Sequence, residues 1–201
     1  MHTLLLASQS PRRRELLRRA GFEFDVASVQ ISEIPDENLN LQDQIRDLAR
    51  QKAEALATSL ERTGGLERRL LLAADTVVVV EGDEILGKPR DLKQSAEHLR
   101  RLSGRTHRVI TAICLWELAS TDVRLAHEWS EVTFHRLDEG QIESYVAGGE
   151  GLDKAGAYGA QSAEGSALIA RIDGALDNVI GLPVALVERM LNENGWIIAR
   201  R

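Results

Sequence analysis

The most apolar stretch of the chain, Leu70–Val80 (LLLAADTVVVV), carries one charge, Asp75. Eleven residues rich in leucine and β-branched valine predict a central strand covered on both faces. A carboxylate on such a strand is expensive to bury unless a cation or a metal meets it. Asp75 is therefore either a functional group at the strand's end or half of a structural ion pair.

Around this strand the pattern alternates. Thr3–Ala7 reads as a short buried strand. Ser10 offers an N-cap, Pro11 a first helical position and Gly21 a stop, so Pro11–Ala20 is predicted helical. Phe22–Ile31 looks extended, and Glu33–Asn40 is a polar loop holding Pro35. Leu41, Ile45, Leu48, Ala49, Ala53 and Leu56 recur at helical spacing within a helix predicted over Leu41–Leu60. After the central strand, Glu81–Glu84 turns into a short return strand ending near Gly87, and Asp91–Leu102 is helical. Arg108–Glu117 and Arg124–His135 read as long strands. Asp138 and Gln141 form a capping box for a helix ending near Gly148. A glycine-rich segment, Gly149–Gly165, precedes a strand at Ala167–Asp173 and a helix at Leu182–Asn194. This mixed order predicts an α/β fold with a mixed sheet in one domain spanning residues 1–201.

A chain of 201 residues can bury a sizeable core, and its 28% charged residues are ordinary for a globular protein. The lone cysteine, Cys114, has no partner for an internal disulfide and reads as a small buried hydrophobe. No run reaches the ~18 apolar residues of a membrane span. The N-terminus places its arginines after its short apolar stretch, the reverse of a secretory signal. A cytoplasmic protein with no membrane partner is the expectation. A formal charge of −6 argues against non-specific nucleic-acid binding.

Against that acidic background, five arginines fall between Arg12 and Arg19. Arg12, Arg13 and Arg14 occupy a predicted first helical turn, where the helix dipole disfavours cations. An anion on the exposed N–H groups at Ser8–Arg13 would reverse that penalty; a solvated basic face is the other reading. Lys52 falls on the apolar stripe of its helix, so it either snorkels to water or reaches an anion. Gly82–Lys88 (GDEILGK) has P-loop spacing, but Pro89 follows, without hydroxyl or N–H, and the interior is apolar. No zinc-ligand spacing, nucleophile elbow or dinucleotide fingerprint is present. What remains is Glu33 and Asp75, the lysines Lys52, Lys88 and Lys154, and the basic helix start. Such a set suits a magnesium-bound polyphosphate.

The stretches LLLASQSPRRRELL, ARQKAEA, AADTVVV, LGKPRD, LSGRTHRVITA, DKAGAYGAQ and NVIGLP occur in this order between residues 4 and 183. Together they resemble the Maf family of nucleotide pyrophosphatases over nearly the whole chain. The resemblance implies a two-lobed α/β fold with a deep cleft, related to the inosine triphosphate pyrophosphatases. It also implies hydrolysis of a nucleoside triphosphate to monophosphate and pyrophosphate with a divalent cation, Mg²⁺ or Mn²⁺. By this similarity Asp75 accepts the proton of the attacking water and, with Glu33, holds the metal. Ser8, Ser10, Arg13, Lys52, Lys88 and Lys154 bind the substrate.

Substrate preference divides the family at three positions. The branch specific for 7-methyl-GTP has tryptophan, glutamine and glutamate where this chain has Arg12, Thr76 and Gln161. The resemblance therefore points to the dTTP/UTP branch, and an amide such as Gln161 can pair with the edge of uracil or thymine. Two residues depart from the usual pattern: Ser162 replaces a glycine and Leu176 a tyrosine. The family is also associated with arrest of cell division and septum formation, which leaves a non-catalytic nucleotide-binding regulator as the competing class. A homodimer is an expectation of the resemblance alone.

Overall fold

The computed structural model describes residues 2–28, 35–36, 38–61, 69–120 and 122–200. Strand β1 (Thr3–Ala7) is followed by α1 (Pro11–Arg19), β2 (Phe24–Ala27), α2 (Leu41–Glu61) and β3 (Arg69–Val79). Then come β4 (Ile85–Leu86), α3 (Leu92–Leu102), β5 (Thr106–Glu117), β6 (Asp122–Phe134) and α4 (Glu139–Ala147). The chain ends with α5 (Ala163–Ser166), β7 (Ile169–Asp173), α6 (Leu176–Ile180) and α7 (Val184–Glu193). Among the described residues the strands form one seven-stranded sheet in the order β2-β1-β3-β5-β6-β7, with β4 pairing β3. The sheet is mixed: β1 is parallel to β2 and β3, whereas β4 runs antiparallel to β3 and β7 to β6. The predicted mixed sheet is thus observed.

The chain divides into two compact units. The first comprises Met1–Asp75, Thr111–Glu128 and Gly181–Arg201. Its strand β1 and the first part of β3 are apolar on both faces, and Leu70 through Ala74 are wholly buried. Leu4, Leu6, Leu70, Leu72 and Ile113 meet Leu186, Val187, Met190 and Leu191 of α7 in one core cluster. The helix α2 packs against β1, with Ile45, Leu48, Ala49, Ala53 and Leu56 buried as the periodicity predicts.

The second unit comprises Thr76–Ile110 and Trp129–Ile180. Its core joins Val78, Leu86, Leu99, Leu102, Val132, Phe134, Ile142 and Tyr158. The capping box read from sequence, Asp138 with Gln141, is present, and Asp91 caps α3 rather than belonging to it, accepting from the Gln94 N–H. Ile85–Leu86 is a hairpin strand, so the segment with P-loop spacing is indeed not a P-loop.

Three expectations shift. The last helix begins at Val184 rather than Leu182, because Pro183 adopts an extended ψ of 96° as the residue before it. The five-residue α6 was not predicted, being too short to show a period. Within the glycine-rich segment lie two tight helical turns and the four-residue α5, capped by Ser162.

Asn178 of α6 is fully buried and holds this unit together. Its amide donates to the Val109 carbonyl of β5 at 3.1 Å and to Ser130 Oγ of β6 at 2.9 Å, while Ser130 donates to the Ala175 carbonyl. Truncation leaves a buried carbonyl without a donor and opens a small cavity. Asn178→Ala should lower the unfolding free energy by about 2–4 kcal/mol, measured by urea denaturation.

Candidate functional site

In the first unit the parallel pairing of β1 with β3 carries their carboxyl ends to the same edge, the usual place for ligands in open α/β sheets. The register Leu6 to Leu72, continued, brings Ser8 level with Ala74, one residue before Asp75. The loop after β1 is held by its own hydroxyls. Ser8, 6% exposed, accepts from the Ser10 N–H at 3.1 Å. Ser10 in turn caps α1 by accepting from the Arg13 N–H at 3.4 Å. Pro11 follows at the first helical position, as expected. Arg12, Arg13 and Arg14 are all half-buried rather than fully solvated. Arg13 Nε donates to the Gly181 carbonyl at 2.8 Å, which ties the basic helix start to the NVIGLP motif.

Asp75 is 6% exposed on β3, just beyond the level at which β1 ends, and the strand continues buried through Val77, Val78 and Val79. Lys52 of α2 reaches it and forms a close ion pair with Oδ1. The ion-pair reading of Asp75 is thereby realised, and Lys52 does not snorkel to solvent. Both partners were singled out from sequence, but their pairing was not, since they stand 23 residues apart.

In the second unit the loops bearing the remaining lysines are stitched together. The Gly156 N–H donates to the Gly87 carbonyl at 3.2 Å, so the LGKPRD and DKAGAY segments are adjacent. Gly156 has φ +69°, and a Cβ there would lie 2.8 Å from Val78 Cγ2, which reserves the position for glycine. Lys88 is exposed, whereas Lys154 is 9% exposed and donates to the Glu150 carbonyl and to Asp153 Oδ1. Thr76 is half-buried on β3 and Gln161 is exposed. Ser162 caps α5 by accepting from the Gly165 N–H, and it donates toward Glu150 Oε2 at 2.8 Å. That departure from the usual glycine therefore has a local function. Glu150 gave no sequence signal of its own. Leu176, the other departure, opens α6 with its side chain half exposed.

Glu33 lies outside the described residues. Among the described residues no three His, Cys, Asp or Glu side chains converge as a metal cluster. Among the described residues Asp75 offers a hard oxygen donor on β3, beyond the carboxyl end of β1. A magnesium ion that arrives with a triphosphate needs only one or two carboxylates besides phosphate oxygens, so this donor set fits it. Among the described residues no helix is long and apolar enough to cross a membrane.

A mixed α/β sheet with a basic helix start after β1 and a carboxylate–ammonium pair on the neighbouring parallel strand defines the general class. The particular family follows from comparison: the Maf-like protein model matches residues 3–194, and the chain belongs to that family. A dTTP/UTP pyrophosphatase of Bdellovibrio bacteriovorus is 45% identical over 190 residues, covering 94% of this chain and 97% of the relative. Proteins of the same name from Moorella thermoacetica and Pelotomaculum thermopropionicum are 44% and 41% identical. They cover 95% and 98% of this chain, and 94% and 98% of their own lengths.

His107, in the LSGRTHR motif, is structural. It is 3% exposed, its Nε2 hydrogen-bonds Tyr158 Oη at 2.8 Å, and its ring packs edge-on against Phe134. Burial pushes its imidazole from 6.5 down to about 4. The unfolded chain therefore binds a proton that the folded one refuses, and stability falls as pH drops from 6.5 toward 4. His98 and His127, also lowered chiefly by burial, act in the same direction. The His107 contribution should reach about 2–3 kcal/mol by pH 4.5. Urea melts at pH 7 and pH 4.5 should show a smaller loss in His107→Gln than in the wild type; equal losses would contradict this assignment.

Proposed function

We propose that this chain hydrolyses dTTP and UTP to the monophosphate and pyrophosphate. The observation that carries the reading is Asp75, a carboxylate held by Lys52 on β3 beyond the carboxyl end of β1, in a chain of this family. Near-full-length relatives named dTTP/UTP pyrophosphatase support the substrate pair.

Without substrate, Lys52 neutralises Asp75, which makes the buried carboxylate tolerable. When the triphosphate binds, its phosphate oxygens compete for Lys52. Ser8, Ser10 and Arg13 supply hydroxyl, backbone N–H and guanidinium donors to the same anion, and on the family resemblance Lys88 and Lys154 also bind the substrate. A water then attacks the α-phosphorus. Its oxygen forms the new P–O bond, its proton passes to Asp75, and the bond to the β-phosphate oxygen breaks to release pyrophosphate. A divalent cation bound by Asp75, and by Glu33 on the family resemblance, would supply further neutralisation of the phosphate oxygens. Arg12, Thr76 and Gln161 select the base, with Gln161 hydrogen-bonding the pyrimidine edge.

The test is pyrophosphate release from dTTP, UTP, CTP, 7-methyl-GTP and ATP with Mg²⁺ or Mn²⁺. Activity should concentrate on dTTP and UTP. Asp75→Asn keeps an acceptor for Lys52, so it should fold normally while losing about 10²–10⁴-fold in kcat. Near-wild-type turnover in that variant would remove Asp75 from the mechanism, and a profile led by 7-methyl-GTP would overturn the substrate assignment. If no nucleotide is cleaved, the nucleotide-binding regulator becomes the better reading.

A further inference from the structure

Arg13 is held at two points. Its main-chain N–H donates to Ser10 Oγ at 3.4 Å, which seats it in the first turn of α1, just after the loop that leaves β1. Its side chain crosses to a segment 168 residues away in sequence, where Nε donates to the Gly181 carbonyl at 2.8 Å. Both residues belong to the first unit. A hydrogen bond at Nε fixes the plane of a guanidinium. The two terminal nitrogens form a second fork, separate from Nε, that matches two phosphate oxygens.

The acceptor sits in constrained backbone. Gly181 is buried and has φ +124°, a conformation in which a residue with a Cβ is strained. Leu182, which follows, is wholly buried and shares a core cluster with Leu17 of α1. Pro183 is buried, with φ −72° and ψ 96°. The carbonyl thus lies between a conformation that favours glycine and a fixed proline, and the core that seats α1 seats this segment too. Charge matters as well as geometry. On α2, Arg46 and Arg50 lean on the carboxylates of Asp43 and Asp47, partners that compete with an arriving anion. The Gly181 carbonyl is neutral, so its hydrogen bond orients Arg13 without cancelling any charge.

We propose that Gly181 is a positioning residue whose carbonyl aims the Arg13 guanidinium at the triphosphate chain of the substrate. The inference rests on the reading of Arg13 as a phosphate-binding residue. Gly181 acts through Arg13 and touches no reacting atom. A side chain held in its bound orientation loses less freedom when the ligand arrives, so the gain is affinity for the phosphate chain rather than for the base. A Cβ at 181 drives φ away from +124°, swings the carbonyl and lets the guanidinium turn.

The experiment measures binding of inorganic tripolyphosphate by calorimetry in Mg²⁺, for the wild type, Gly181→Ala, Arg13→Lys and the double variant. Lysine keeps the charge but lacks the planar fork. Gly181→Ala should weaken binding about tenfold, a change worth about 1.4 kcal/mol. In the Arg13→Lys background the same substitution should cost less than about twofold, because the arginine it acts through is gone. A merely structural glycine would cost both backgrounds equally. Losses that simply add, an unchanged affinity in Gly181→Ala, or a wild type that does not bind tripolyphosphate overturns the inference. Should Gly181→Ala fail to fold, proton–nitrogen NMR of the wild type decides. The Arg13 Nε–H signal, assigned by its loss in Arg13→Lys, should exchange slowly with solvent both without and with tripolyphosphate; fast exchange in the ligand-free protein overturns the inference. Pyrophosphate release is a separate readout: a wild type that shows the coupling but cleaves no nucleotide sinks the pyrophosphatase reading and supports this one.

Discussion

The ion pair between Lys52 and Asp75 is the constraint around which the first unit is arranged. Five consecutive residues before Asp75 are wholly buried, so the carboxylate sits on a strand segment that offers it no solvent. It needs a cation, and α2 supplies one from the same face that buries Ala49, Ala53 and Leu56. An apolar helix surface and a buried charge are thus satisfied by one side chain. An ion pair of this kind adds little stability compared with apolar groups of the same size. Its value lies in keeping a charged carboxylate at a defined place.

The second unit solves a different problem. It has a long glycine-rich segment with little regular structure, which would wander if only its backbone held it. Cross-links from its motifs prevent that: Gly156 to Gly87, Tyr158 to His107, Gly159 to Tyr145 and Ser162 to Glu150. His107 and Asn178 look like catalytic candidates in a motif list, yet both are buried fasteners.

How much of this was legible beforehand depended on how local the signal was. The caps at Ser10 and Asp138, the stripe of α2 and the strand around Asp75 are written in adjacent residues, and the structure bears them out. Lys52 and Asp75 each stood out because a charge on an apolar background is conspicuous. Their mutual contact was not legible, because it depends on how a helix lies against a strand. Glu150 was invisible for the same reason, being one acidic residue among glycines until Gly159 and Ser162 are folded beside it. Ser162 was noticed only as a departure, and its capping role explains why a hydroxyl is welcome there. Glu33 lies outside the described residues, so its assignment still rests on resemblance.

The path of the chain has one further consequence. It passes from one compact unit to the other four times, at 75/76, 110/111, 128/129 and 180/181. Three of those passages fall within β3, β5 and β6, in the middle of hydrogen-bonded strands. Neither unit can be lifted out as a single length of polypeptide, and no simple gene truncation or fusion would deliver one without the other. Any ancestor built from half of this architecture would have needed a different order of segments. Recombination among relatives should therefore exchange this protein whole, or by point changes within its loops.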